Sequence, residues 1–141
     1  MRVLFAMLAD VAVGPADGKV YILGGGVEIF KPPVLPFVVP AVSFVAKVEF
    51  TTAELGRPRV IEVVPLDSDG RPLGPPIRVE ATPVANPASP GLPVSIQLIL
   101  NMRDLPLTRP QSLAFSLLVD GHELASVPLH IVAPPTGMTQ A

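Results

Sequence analysis

Between residues 41 and 50 the chain alternates cleanly. Val42, Phe44, Ala46, Val48 and Phe50 fall on one face, with Ser43, Lys47 and Glu49 on the other. A period of two with one polar face predicts a strand in an antiparallel sheet packed on one side. Residues 94–100 repeat the pattern, with Val94, Ile96, Leu98 and Leu100 against Ser95 and Gln97. In 111–119 the corresponding inner row is Leu113, Phe115, Leu117 and Val119. The expected core therefore holds Val42, Phe44, Val48, Phe50, Ile96, Leu98, Phe115 and Leu117.

Three Asp-Gly pairs punctuate the chain: Asp17-Gly18, Asp69-Gly70 and Asp120-Gly121. Both residues tolerate the positive φ of a tight hairpin turn, so each pair predicts a hairpin. The flanking strands are 2–10 with 19–30, 58–66 with 76–82, and 111–119 with 123–133. The strand 19–30 carries three consecutive glycines, Gly24 to Gly26, between β-branched and aromatic residues. Glycine inside a strand marks a bulge, a bend or a close backbone approach, and a bend with core on either side is expected. The rival, a phosphate cradle, needs a glycine loop opening a helix. Val27 to Pro33 cannot start one.

The linkers are rich in proline. Residues 31–40 contain Pro32, Pro33, Pro36 and Pro40, and 83–93 contain Pro83, Pro87, Pro90 and Pro93. Proline cannot donate to a ladder, so these are expected to be extended crossings between sheets, with 103–110 a shorter one. Thr51 to Leu55 reads as a single capped helical turn. Together these elements predict an all-β fold: a two-sheet antiparallel β-sandwich of about eight strands, immunoglobulin-like or jelly-roll-like. It should occupy residues 1–133, with 134–141 a flexible tail.

Composition sharpens this picture. A chain of 141 residues suffices for one domain. Only 16% of residues are charged, against roughly 25% in ordinary globular chains, while 49% are hydrophobic. That leaves few charged side chains to cover a monomer. A net charge of −2 and the lack of a Lys/Arg cluster exclude a nucleic-acid surface. No apolar run reaches the roughly 18 residues of a membrane span. Met1 to Ala9 reads as a buried first strand rather than a signal peptide, and the expected location is the cytoplasm. Abundant proline, no cysteine, and seven Arg against three Lys point to a thermophilic host.

Candidate chemistry is sparse. With no cysteine, thiolate chemistry and disulfides are out. Ser126, His130 and Asp120 are the residue types of a triad, but no nucleophile-elbow glycines surround Ser126. His122 and His130 read as surface residues. Asp67, Asp69 and Asp104 are the acidic residues nearest to a calcium loop, yet they lack the further carboxylates such a site requires. Arg57, Arg59, Arg71, Arg78, Arg103 and Arg109 stand singly on turns and outer faces, as solvated or salt-bridging residues do. The reading is no enzyme, no catalytic residue, no cofactor and no metal.

Leu8-Ala9-Asp10 followed by Asp17-Gly18-Lys19-Val20-Tyr21-Ile22-Leu23-Gly24-Gly25-Gly26 resembles the opening of an uncharacterised family of small bacterial β-sandwich proteins. The likeness extends through Asp67-Ser68-Asp69-Gly70, Pro90-Gly91-Leu92-Pro93 and Leu118-Val119-Asp120-Gly121. Val27 departs from it, standing where an aromatic is expected. The resemblance implies a compact sandwich and carries over no catalytic residue.

The expected function is a structural or interaction module that self-associates, most simply as a homodimer. Strand 58–66, apolar on both faces through Val60, Ile61, Val63, Val64 and Leu66, is the first candidate interface. The strand around Leu129 and Ile131 is the second. The alternative is a small-ligand or carbohydrate-binding sandwich, weakened by the absence of Trp and the single Tyr21.

Overall fold

The alternating segments form the centres of two facing sheets. The computed structural model describes residues 1–14 and 18–135, so Asp17 and most of the tail lie outside the described residues. In chain order the strands are β1 (Arg2–Val13), β2 (Tyr21–Gly25), β3 (Ile29–Phe30), β4 (Phe37–Phe50), β5 (Arg59–Leu66), β6 (Ile77–Ala81), β7 (Val94–Leu107), β8 (Gln111–Val119) and β9 (His122–Ile131). One sheet runs β2-β1-β4-β7 and the other β3-β9-β8-β5-β6. Without β2 and β3, the order β1-β4-β7 facing β9-β8-β5-β6 is immunoglobulin-like, with β8 and β5 at the centre of the larger sheet. All pairings are antiparallel except β3 with β9, which is parallel.

Phe44, Phe50 and Phe115 are fully buried between the sheets, with Leu8, Ile61, Val63, Leu113 and Leu117 around them. Seven of the eight expected core residues are buried. Ile96 is not: it lies half-exposed on β7, an edge strand whose side chains are covered from one flank only. Strand 58–66, expected to be an interface, offers no free edge for strand pairing, and of the apolar residues expected to form that interface only Val60, Val64 and Leu66 stay partly exposed. β5 is paired on both sides, to β6 and β8, and its Ile61 and Val63 are core. Leu129 and Ile131 likewise point inward.

β1 and β2 pair as a hairpin, and the turns at Asp69-Gly70 and Asp120-Gly121 form where expected. Asp120 (φ 51°) and Gly121 (φ 83°) make a two-residue turn between Val119 and His122. Around Asp67, the side-chain oxygen accepts the N–H groups of Asp69 (2.8 Å) and Arg71 (2.9 Å), and Gly70 has φ 79°. The capped turn also appears, as a 3-10 turn at Thr52–Glu54 in which Glu54 accepts from the Thr51 N–H. The proline-rich segments 31–36 and 82–93 do carry the chain from one sheet to the other.

The strand expected over 19–30 is two strands in different sheets. The chain leaves β2 at the glycines and crosses to β3 beside β9. Gly24 (φ 64°) and Gly26 (φ 80°) adopt the left-handed conformation that a β-branched residue would find strained. The N–H groups of Gly26 and Val27 both donate to the Leu8 carbonyl, at 2.9 and 3.0 Å. A side chain at Gly24 would also collide with the Asp10 carboxylate. At Gly25, whose φ is not left-handed, it would meet the side-chain atoms Ile22 Cγ2 (2.9 Å) and Met7 Sδ (3.1 Å). Gly24→Val is therefore expected to cost about 1–3 kcal/mol and Gly25→Val less, measured by urea unfolding. The reverse order would contradict this account of the crossing.

β4 and β7 share one irregularity. Their register pairs Ala41 with Arg103 and Val39 with Leu105, which leaves Pro40 opposite Asp104 (φ 55°). Before this point the core row is Val42 and Met102; beyond it the row is Val39, Leu105 and Leu107. Both strands change face together, so the register survives.

Candidate interaction surface

The residues that carry candidate chemistry are not gathered. Ser126 and His130 sit four residues apart on β9, about 13 Å at strand spacing. His130 Nδ1 is instead 2.8 Å from Ser112 Oγ across the β8–β9 ladder. Asp120 is engaged elsewhere: its carboxylate accepts from Arg59 Nη1 (2.9 Å) and from the Val60 N–H (3.0 Å). The Val60 bond first, and the Arg59 guanidinium next, hold its carboxyl below the usual range. Asp67 is likewise lowered by the backbone N–H groups of its turn, that of Arg71 foremost. Asp104 belongs to the β7 irregularity. Among the described residues no group of three His, Asp or Glu side chains is placed to hold a metal ion.

Arg59 forms a salt bridge, one of the two expected uses of the arginines, but it is buried rather than on an outer face. It is 7% exposed and lies over the Phe50 ring at 5.7 Å. Its Nη2 donates to the Glu54 carbonyl (2.8 Å), so it ties the start of β5 to the 3-10 turn and the β8–β9 turn. Glu54 faces the Met1 amino group at 2.7 Å, which holds its carboxyl at about 2. This end of the sandwich is a structural clamp.

The edges of the sheets tell more. A free strand edge invites pairing with another chain, and proteins blunt it by shortness, charge or a bulge. β2 has five residues and β3 two, while β6 has five and carries exposed Arg78 and Glu80. The first half of β1 has Arg2 and a register break between Val3 and Phe5. β7 is different. It is fourteen residues long, pairs among the described residues only with β4, and has no charged residue from Val94 to Met102, although the Gln97 side chain donates to the Lys19 carbonyl of the β1–β2 loop (3.2 Å).

A second apolar surface lies on the β1–β2 hairpin. Ala12, Ile22 and Val20 turn toward Val45 and Ile99 on the outer face of the four-stranded sheet, forming a small cluster separate from the main core. The opposite face of the hairpin presents the cross-strand pairs Val11–Leu23 and Val13–Tyr21, all four exposed. Alongside it, Asp10, Ala41, Ser43, Asn101 and Arg103 line a cleft of about 250 Å³, where Ser43 Oγ donates to Asn101 Oδ1 (2.6 Å). Neither surface was singled out in the sequence. The alternation of Val11 with Val13 and of Tyr21 with Leu23, and the uncharged run 94–102, are the signals that could have found them.

A model of a family of unknown function, DUF6941, matches residues 4–132. Comparison with curated proteins finds no match. Among the described residues no helix is long and apolar enough to cross a membrane.

Proposed function

The chain belongs to the DUF6941 family of unknown function, and we propose that it serves as a non-enzymatic protein-interaction module that self-associates in the cytoplasm. The observation that carries this reading is the edge of β7, uncharged over residues 94–102 and unpaired among the described residues, while the other free edges are short, bulged or charged. Low charge over the whole chain supports it, because a surface with few charged residues gains from being covered. A homodimer is the simplest assembly, two-fold closure being the commonest symmetry. Light scattering at micromolar concentration should return twice the chain mass of 14.8 kDa. A stable mass of 14.8 kDa would overturn the proposal.

One observation favours a second reading, a small-ligand or carbohydrate-binding sandwich. Tyr21, the single tyrosine, is 55% exposed between hydrophobic neighbours on the hairpin face. Against it, the clefts beside the hairpin (about 250 Å³), between β1 and β9 (about 150 Å³) and beside β7 at Leu73–Ile77 (about 260 Å³) are open and small. Ligand pockets occupy roughly 300–1,000 Å³.

A further inference from the structure

We infer that two copies join edge to edge through β7, antiparallel about a two-fold axis at Leu98, so that two four-stranded sheets become one of eight. This rests on the self-association reading and names its contact.

The first argument is one of faces. Val94, Ile96, Leu98, Leu100 and Met102 alternate with Ser95, Gln97, Ile99 and Asn101, and the even-numbered row faces the core. A two-fold axis that passes through a residue pairs even positions with even and odd with odd. An axis between residues would set the core row of one copy against the outer-face row of the other, which a half-buried strand does not tolerate. The symmetry therefore requires a residue at its centre.

The second argument is one of limits. Pro93 has no N–H to donate, so the ladder stops at its amino-terminal end. At the other end Asp104 has φ 55° and breaks the regular backbone. The uncharged stretch between them runs from Val94 to Met102, and its midpoint is Leu98. With that centre Val94 faces Met102, Ile96 faces Leu100, and Gln97 faces Ile99. Ser95 faces Asn101, a hydrogen-bonding pair. Ile96 and Leu100, half-exposed in one copy, would each be covered by the other, extending both cores across the seam. The strand is thus complementary to itself, which favours a second copy over an unrelated partner.

Because the chain has no cysteine, a cross-link reports unambiguously. The double variant Ser95→Cys/Asn101→Cys should form a covalent dimer on mild oxidation, since facing residues in an antiparallel pair come within disulfide reach. The two positions lie roughly 20 Å apart in one chain, too far to bridge internally. Each single variant should remain uncross-linked. Ile96→Lys should give a folded monomer, its charge reaching water from the free edge, with circular dichroism confirming the fold. If the wild type is dimeric but the double variant does not cross-link and Ile96→Lys stays dimeric, the β7 contact is wrong and self-association stands, with the hairpin face next to be tested. A monomeric wild type overturns both.

Discussion

Val63→Glu is expected to leave the chain unfolded or insoluble, with no folded monomer recovered. Val63 is fully buried and sits between β6 and β8, opposite Ile77 and Leu117. A carboxylate there has no cation to pair with: the nearest buried guanidinium, Arg59, is held by Asp120 and the Glu54 carbonyl at the start of the same strand. Burying an unpaired charge costs several kcal/mol even after relaxation, and the cavity for a valine must also accept two more heavy atoms. Against a total stability of about 5–15 kcal/mol, that is decisive. The measurement is the far-ultraviolet circular dichroism of whatever soluble protein is recovered. A soluble, β-rich monomer would show that Val63 forms an interface and that the inward orientation of β5 is wrong.

Phe115→Ala should lower stability by about 3–5 kcal/mol while the fold persists. The ring is fully buried on β8, between Pro65 of β5 and Val127 of β9. It lies in a strand paired along both sides, so neighbouring side chains have little freedom to collapse into the space it leaves. Truncation removes the transfer energy of the ring and adds a cavity term. Guanidinium unfolding monitored by circular dichroism gives the difference, with the slope m unchanged if the native state stays compact. A loss below about 1 kcal/mol would place the ring outside the core, since that is the ordinary effect of a surface change.

The fold was legible where local chemistry decides it. Asp120-Gly121 forms a turn because both residues accept positive φ, and the row Phe44, Ala46, Val48, Phe50 is buried because a strand has a period of two. What escaped was set by distant neighbours. The apolar run in 58–66 reads the same whether it covers a partner or lies inside a sheet. Only the pairing of β5 with both β6 and β8 decides. Ile96 looked like Leu98 in sequence, but the absence of a strand beyond β7 leaves it half-open. Arg59 looked like any turn arginine until Asp120, 61 residues away, came to meet it. Gly24 to Gly26 announced a bend correctly, but not that the bend changes sheets, because the destination of β3 lies at the far end of the chain. The β7 edge is harder still: the uncharged run 94–102 marks a strand without charged guards, but only the lack of a neighbouring strand beyond it makes it an edge.

That destination has a consequence for how the protein is made. β3 pairs through Ile29 with His130 and through Phe30 with Ile131. The Glu28 carbonyl accepts from the His130 N–H at 2.7 Å, and the Phe30 carbonyl from the Val132 N–H at 3.1 Å. A ribosome adding 5–20 residues each second must synthesise about 100 more residues before these groups meet their partners, a wait of roughly 5–20 s. Through that interval β1 can find β2 and then β4, while the segment after the glycines stays unpaired. Pairings so distant in sequence close slowly. The sandwich is therefore sealed last along the seam where its early and late strands meet, and a nascent chain stalled before β9 would expose that seam to chaperones and proteases.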